Sequence, residues 1–303
     1  MQHHYSHGKL LITGEYVVLD GALGLAVPTK KGQSMCIESL DQPILSWKSY
    51  DLNGHIWFEK EFKINKGGII ETRQEESLVS SMLLKIIIAA KELNPEFLTD
   101  SIGYGIRTTL EFPRDWGLGS SSTMINNFAK WAKIDAYHLL DITFGGSGYD
   151  IACAQNEGPI TYQLINSGPR IKTVGFHPCF ANRLFFVHLN KKQDSREGIA
   201  QFRRNNIDMG RAISKISAIT KLLIQSRSLV NFEGLIAKHE SLISELIHTP
   251  TIKEQFFPDY EGGIKSLGAW GGDFILVTAK NDPIAYFSGK GYKTIIPYNE
   301  MLL

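Results

Sequence analysis

The sequence has little cysteine, and what it has is scattered. Its three cysteines, Cys36, Cys153 and Cys179, lie far apart in 303 residues and form no Cys-x-x-Cys pair. Disulfide-stabilised folds and structural zinc sites need more cysteines at closer spacing, so we expect neither. The histidines of the opening MQHHYSH have no neighbouring carboxylate or cysteine. We therefore interpret them as a solvated start of the chain rather than a metal site.

The sequence also lacks an excess of charge and any long apolar run. Its 32 lysines and arginines balance 31 aspartates and glutamates, with a formal net charge of +1 and no sustained basic block. Nucleic-acid-binding proteins generally carry such a block, so nucleic acid is not an expected partner. No apolar stretch approaches the length of a membrane span, and the N-terminus lacks the apolar core of a secretory signal. We therefore expect a cytoplasmic protein without a membrane partner.

What is present is an ordinary globular composition over a length that favours two domains. Hydrophobic residues make up 43% and charged residues 21% of the chain. Strand and helix patterns mix in the first half, whereas the second half is rich in helix and closes with strands. We place the boundary at the NSGPR segment, which gives an N-terminal domain at 1–170 and a C-terminal domain at 171–303.

Hydrophobic periodicity predicts the individual elements. Alternating residues predict half-buried strands, and apolar residues at helical spacing predict helices. KLLITGEYVVL, at 9–19, is predicted to form a strand, a tight turn at Gly14 and a second strand. Asp194 and Glu197 have the spacing of a capping box at a helix start. The other strands are predicted at 34–38, 44–48, 54–63, 101–112, near 184–189 and in three C-terminal segments, and the main helices at 76–93, after 122, from 135, at 198–226 and at 230–247.

A glycine–serine run, PRDWGLGSSST at 113–123, carries the clearest chemical signal. It lies between a predicted strand and a predicted helix, where the unpaired N–H groups of the first helical turn and the helix dipole favour an anion. Gly117 and Gly119 allow close backbone approach to a phosphate, and the serine hydroxyls can bind phosphate oxygens or magnesium. The run is not a Walker A sequence. Taken alone, a flexible loop that caps a helix explains it equally well.

Two further glycine-rich stretches change that balance. FGGSGYDIACA, at 144–154, contains Asp150, and KSLGAWGGDFILV, at 265–277, leads into an apolar segment. Lys9 lies in the first predicted strand. Phosphoryl transfer needs positioned N–H groups, a cation, a magnesium site and a carboxylate near the attacking oxygen. The combination therefore favours phosphoryl transfer. Considered alone, Lys9 would be interpreted as a solvated strand lysine and Asp150 as a helix cap.

Together these segments resemble the GHMP kinases, the family of galactokinase, homoserine kinase, mevalonate kinase and phosphomevalonate kinase. GKLLITGEYVVLDGALGLAVP is similar to the first family motif, PRDWGLGSSST to the phosphate-binding motif Pro-x-x-x-Gly-Leu-Gly-Ser-Ser, and KSLGAWGGD to the glycine-rich third motif. The three motifs occur in the family's order and span most of the chain. The residues that match the phosphate-binding motif are Pro113, Gly117, Leu118, Gly119, Ser120 and Ser121.

The resemblance implies a two-domain α+β protein that binds ATP and Mg²⁺. The N-terminal domain would have a ribosomal-S5-like fold and the C-terminal domain a ferredoxin-like fold. Asp150 would be the catalytic carboxylate, and Lys9 would balance charge near the transferring phosphoryl group. Ser121 would contact magnesium. The residues implied to contact ATP or line the site are Gly117, Leu118, Gly119, Ser120, Ser121, Ser122, Gly268, Ala269, Gly271 and Gly272.

Within the family, the motif residues resemble those of phosphomevalonate kinases most. The matching segments are Lys-Leu-x-Ile-Thr-Gly-Glu-Tyr, Gly-x-Asp-Ile-Ala and Gly-Gly-Asp. Phosphomevalonate is therefore the expected acceptor, in isoprenoid precursor synthesis. Mevalonate, another small molecule of a GHMP kinase, and a catalytically silent relative that binds nucleotide or a partner stay as alternatives. The related decarboxylase has no specific signature here.

The sequence departs from the family at two places. Trp270 stands where glycine is usual, which predicts a bulkier or differently turned third loop. The glutamate that helps mevalonate kinases hold magnesium has no counterpart, since the corresponding region offers only Asp135 and Asp141. The sequence leaves the role of Glu15 open.

Overall fold

The computed structural model describes residues 1–65, 68–71, 77–99, 102–193, 195–204 and 208–303. Two short 3-10 helices, Val17–Asp20 and Ala181–Arg183, accompany the main elements. The strands are β1 (Gln2–Thr13), β2 (Gly24–Leu40), β3 (Ile44–Tyr50), β4 (Ile56–Asn65), β5 (Gly68–Glu71), β6 (Gly103–Leu110), β7 (Ile160–Ile165), β8 (Gly168–Thr173), β9 (Leu184–His188), β10 (Ile264–Ser266), β11 (Phe274–Thr278) and β12 (Ile295–Pro297). The helices are α1 (Leu78–Leu93), α2 (Ser120–Ala132), α3 (Ala136–Thr143), α4 (Tyr149–Gln155), α5 (Ser195–Arg204), α6 (Met209–Ile224), α7 (Leu229–Ile247), α8 (Ile252–Phe256), α9 (Ile284–Gly289) and α10 (Tyr298–Met301).

The chain divides into two compact units, each built from separated segments. Unit 1 contains 1–8, 31–114 and 119–155, and unit 2 contains 9–30, 115–118 and 156–303. The first strand and the glycine–serine run each pass from one unit to the other. The expected domains at 1–170 and 171–303 stay a prediction.

Unit 1 is a mixed sheet covered by helices on one face. Its strands follow the order β5-β4-β3-β6-β2, in which the β3–β6 pair is parallel and the others are antiparallel. Inward positions alternate along the strands, as with Leu45 and Trp47 in β3. They pack against buried residues of α1, α2 and α3 to form the core of the unit. Ser77 caps α1, since its side chain accepts a hydrogen bond from the Ser80 amide at 3.1 Å.

Unit 2 combines an antiparallel four-stranded sheet, in the order β10-β11-β9-β12, with most of the C-terminal helices. The start of β2 and the β7–β8 hairpin also belong to it. One apolar cluster joins the turn after β1 to α5, α6 and α7, and another joins the sheet to α8 and α9. The architecture confirms the α+β class. No helix in the described ranges is both long enough and apolar enough to cross a membrane.

Most predicted elements are confirmed, with two corrections. Residues 17–20 form a 3-10 helix rather than a second strand, because the positive φ of Tyr16 and the left-handed backbone of Gly21 turn the chain at both ends. The helix predicted at 198–226 is divided into α5 and α6, and Asp208 caps the start of α6 by accepting from the Arg211 amide at 3.1 Å. The predicted cap Asp194 lies outside the described residues.

Candidate active site

In unit 2, the first strand binds the loop at 115–118, which lies within the glycine–serine run. The Lys9 amide donates a hydrogen bond to the Leu118 carbonyl at 2.9 Å. Trp116, in the same loop, lies with its ring edge-on to Phe274 at 5.3 Å and tilted against His188 at 6.2 Å. These contacts fix the loop against β1, β9 and β11. Lys9, Gly117 and Leu118, three of the predicted site residues, are therefore neighbours in space.

Asp273, which the sequence interpretation did not select, lies against this loop. Gly117 has a φ of +64°, and a Cβ there would overlap the Asp273 carboxyl group, 2.7 Å from Oδ1. The carboxylate accepts a hydrogen bond from the Gln193 amide at 3.2 Å. Burial raises the pKa of Asp273, and the positive charges of Lys9 and Lys192 counteract part of that rise. Glycine is therefore needed at position 117 because the Asp273 carboxyl group occupies the space of a Cβ, whether or not this loop binds a ligand.

The third glycine-rich stretch is anchored by the tryptophan that departs from the family pattern. Trp270 is buried, and its amide donates to the Tyr16 hydroxyl at 3.1 Å. Tyr16 itself stacks on Phe202 with ring centroids 5.5 Å apart. The bulk of Trp270 therefore packs into the core of unit 2. The predicted lining glycines lie around it, with Gly268 at a φ of +64°, Gly271 at +100° and Gly272 close to the carbonyl of Lys191.

Glu15, whose role the sequence left open, is buried and contacts the ammonium group of Lys265. Burial raises the pKa of Glu15 to about 7, although Lys265 acts in the opposite direction. Gly14, the preceding residue, has a φ of +100°, and a Cβ there would lie 2.9 Å from the Cα of Gly24. The Gly-Glu turn is therefore held by close backbone packing and by a buried ion pair.

In unit 1, the glycine–serine run opens α2. Gly119 is the N-cap residue in a left-handed conformation, with a φ of +90°, and no side chain caps this helix start. Ser122 is buried and its hydroxyl donates to the Gly119 carbonyl at 2.9 Å. Ser121, by contrast, is exposed. The first turn of α2 therefore offers N–H groups and the positive end of a helix dipole to an anion such as a phosphate.

Asp150 lies in the first turn of α4, after a loop whose glycines adopt positive φ. Its Oδ1 is buried and has no hydrogen-bond partner among the described residues. A buried carboxylate oxygen needs a donor or a cation, so this oxygen fits a group supplied from outside the chain, such as an acceptor hydroxyl or Mg²⁺. Asp135 caps α3 by accepting from the His138 amide at 2.8 Å, and Asp141 is exposed.

The described residues contain no group of three or more His, Cys, Asp and Glu side chains able to hold a metal ion. A magnesium ion bound with ATP, however, takes most of its ligands from phosphates and water and needs only one or two protein oxygens. Ser121 and Asp150 offer oxygens of that kind in unit 1, so the donor set fits such an ion.

Several solved structures of small-molecule kinases have the same fold. Phosphomevalonate kinase of Streptococcus pneumoniae, in complex with phosphomevalonate and AMPPNP, is 16% identical, with a TM-score of 0.68 over 96% of this chain and 95% of that one. Mevalonate kinase of L. major, in complex with R-mevalonate, is 14% identical, with a TM-score of 0.65 over 97% and 94%. Galactokinase of Lactococcus lactis, complexed with galactose, is 14% identical, with a TM-score of 0.67 over 100% and 93%. The chain has the GHMP kinase fold.

No family model matches the sequence, and a search of curated proteins finds no match. The GHMP kinase fold is thus recognised through its shape and its short motifs.

Some residues at the candidate site could not be found from the sequence. Asp273 was visible only as part of a Gly-Gly-Asp string, and Tyr16 only as the residue after Gly-Glu. Lys265 reads as an ordinary strand lysine. Their positions depend on contacts between segments far apart in the chain, such as the contact of Lys265 with Glu15 across 250 residues.

Proposed function

We propose that this chain is an ATP- and magnesium-dependent kinase whose acceptor is phosphomevalonate. The observation that supports this best is the start of α2, where a Gly-Leu-Gly-Ser-Ser sequence forms a helix N-terminus without a side-chain cap. Such a terminus binds phosphate through its amides and its dipole. The similar structure from S. pneumoniae holds phosphomevalonate and AMPPNP, which supports both the nucleotide and the acceptor.

In this proposal each predicted residue has a defined task. The amides and hydroxyls from Gly117 to Ser122 bind the ATP phosphates, and the hydroxyl of Ser121 contacts magnesium. Bound Mg²⁺ neutralises phosphate charge. Lys9 balances the charge that develops on the transferring group, and Asp150 orients the acceptor. The glycines proposed to line the site are Gly268, Gly271 and Gly272.

The reaction forms a bond between the acceptor oxygen and the γ-phosphorus of ATP and breaks the bond from that phosphorus to the β–γ bridging oxygen. ADP leaves with the electron pair. A phosphate acceptor is already largely ionised near neutral pH, so Asp150 then serves to position it. An alcohol acceptor has a proton to lose, and the unpartnered Oδ1 of Asp150 is suited to accept it. The unpartnered Asp150 oxygen therefore supports mevalonate, which has an alcohol to phosphorylate, as the second candidate acceptor.

The test is ADP release by the purified protein with ATP and magnesium, with phosphomevalonate, mevalonate and galactose offered separately. We expect turnover with phosphomevalonate and its loss, by at least about a hundredfold, in Asp150→Asn. Asp41→Asn removes an exposed aspartate from the same unit and is the matched control, which should keep wild-type turnover. Turnover with mevalonate alone would replace the acceptor, and absence of turnover with every acceptor would refute the kinase proposal.

A further inference from the structure

Four ionisable side chains lie together in the interior of unit 2. The side chains of Glu15, Lys265 and His239 have no exposed surface, and that of Glu240 has 5%. The Lys265 ammonium contacts Glu15 Oε1 and lies 3.2 Å from Glu240 Oε1. Glu240 Oε2 also accepts a hydrogen bond from the Ser266 hydroxyl at 2.8 Å. Burying a charge lowers the stability of the fold unless the charge has a partner. A cluster of four buried ionisable groups therefore calls for a functional explanation.

The set joins two segments that carry candidate site residues. Glu15 belongs to the turn after β1, the strand that contains Lys9, and the Gly14 amide donates to His239 Nε2 at 3.0 Å. Lys265 lies in β10 and is the first residue of the third glycine-rich motif KSLGAWGGD, which ends at Asp273. Helix α7 supplies the remaining members of the set. The buried charges therefore connect the Gly14–Tyr16 turn with the third glycine-rich stretch through side chains of a single helix.

Lys265 is the cation that both carboxylates share. His239 is neutral, because burial lowers its pKa well below the ordinary value and its Nε2 accepts the Gly14 amide proton. One ammonium therefore faces two glutamates, and burial raises the pKa of both carboxyl groups. Removing Lys265 would leave Glu15 and Glu240 facing each other without a counter-charge.

We propose that Lys265 is a positioning residue for phosphoryl transfer, which rests on the proposed function. It holds the Gly14–Tyr16 turn and the third glycine-rich stretch in fixed register. That register keeps Lys9 and Asp273 in place against the loop that contains Gly117. Lys265 has no exposed surface, so it acts through these segments without touching a substrate. The hydrogen bond from the Trp270 amide to the Tyr16 hydroxyl links the same two segments a second time.

The experiment compares Lys265→Met with the triple variant Lys265→Met/Glu15→Gln/Glu240→Gln. The single variant leaves the carboxylates of Glu15 and Glu240 without their shared cation, and the triple variant removes all three charged groups. We expect kcat to fall about 10- to 100-fold in the single variant, since small displacements at a reacting centre have effects of that size. The KM for ATP should change less than about threefold, and the triple variant should regain most of the lost kcat, because its neutral side chains need no counter-charge.

Tyr298→Phe is the matched control. Tyr298 is buried in α10 of the same unit, and its hydroxyl donates to the Phe176 carbonyl at 2.6 Å, so its loss leaves a buried carbonyl unpaired and destabilises unit 2. Its ring contacts, with Phe176 and Phe186, lie outside the Gly14–Tyr16 turn and the third glycine-rich stretch. We expect this variant to unfold more easily while kcat stays at the wild-type value. An equal loss of kcat in Tyr298→Phe, or an unchanged kcat in Lys265→Met, would overturn the positioning role.

Hydrogen exchange separates this inference from the proposed function. In Lys265→Met, amides at 14–18 and 267–273 should exchange at least about tenfold faster than in the wild type, and in the triple variant they should return toward wild-type rates. This readout needs no acceptor and no turnover. If the wild type transfers phosphate to no acceptor, the kinase proposal fails, while unchanged exchange in Lys265→Met would overturn the inference itself.

Discussion

The packing of Asp273 against Gly117 predicts that Gly117→Ala is destabilising for two separable reasons, backbone strain and steric overlap. Gly117 has a φ of +64°, so alanine there costs about 1–2 kcal/mol for left-handed backbone. Its Cβ would also overlap the Asp273 carboxyl group, which adds about 1–3 kcal/mol for forced displacement. We therefore expect Gly117→Ala to lower the free energy of unfolding by about 2–5 kcal/mol.

Gly268 supplies the matched control. It lies in the same unit with the same φ of +64°, yet a Cβ there meets nothing within 4 Å. Gly268→Ala should therefore show the backbone cost alone, about 1–2 kcal/mol. In an Asp273→Gly background, Gly117→Ala should fall to that same cost, because the overlapping group is gone.

The assay is urea denaturation of the four single and double variants, followed by tryptophan fluorescence. The coupling free energy of the Gly117 and Asp273 changes should be about 1–3 kcal/mol. The reasoning is refuted if Gly117→Ala and Gly268→Ala cost the same in the wild-type background, or if the cost of Gly117→Ala is unchanged when Asp273 is glycine.

Two further predictions concern stability. Trp270→Gly, which restores the usual family residue, should destabilise unit 2 by about 3–5 kcal/mol because it empties a core position, and thermal unfolding measures this. Glu254→Ala should cost about 1 kcal/mol by removing the carboxylate half of the capping box that Thr251 and Glu254 form at the start of α8. The hydrogen bond from the Thr251 amide lowers the pKa of Glu254 below its ordinary value, so this contribution is present above that ordinary pKa and is lost as the pH falls. The wild type and Glu254→Ala should therefore converge in stability at acid pH, and a constant difference would contradict the cap.

The regular elements of the fold could be predicted from the sequence because their signals are local. The alternation in β3 and the Ser77 cap with the Asn94-Pro95 stop of α1 lie within a few residues of the element they define. The turn at Gly14 was also predicted, but the 3-10 helix after it was not. The apolar residues at 17–19 fit a strand equally well, and the turn made by the positive φ of Tyr16 could not be predicted from them.

The candidate site was predictable to the extent that it consists of motifs. The glycine–serine run does lead into a helix, but α2 begins at Ser120 rather than after residue 122, because the three serines form its first turn. The roles of Lys9 and Asp150 stay predictions. The burial of Lys265 could not be read from its neighbours, because an exposed and a buried lysine look alike in a short strand. Its environment is decided by Glu15, which is distant in the sequence.

The interleaved segments of the two units have a consequence for how the chain is made. Unit 2 needs residues 9–30 from the start of the chain and residues up to 303 from its end. During synthesis, the turn that carries Glu15 therefore leaves the ribosome long before the strand that carries Lys265. Until β10 is synthesised, the Glu15 carboxylate has no Lys265 partner and stays exposed to water. Unit 2 thus closes late, and its nascent N-terminal strand depends on staying soluble until the last strands arrive.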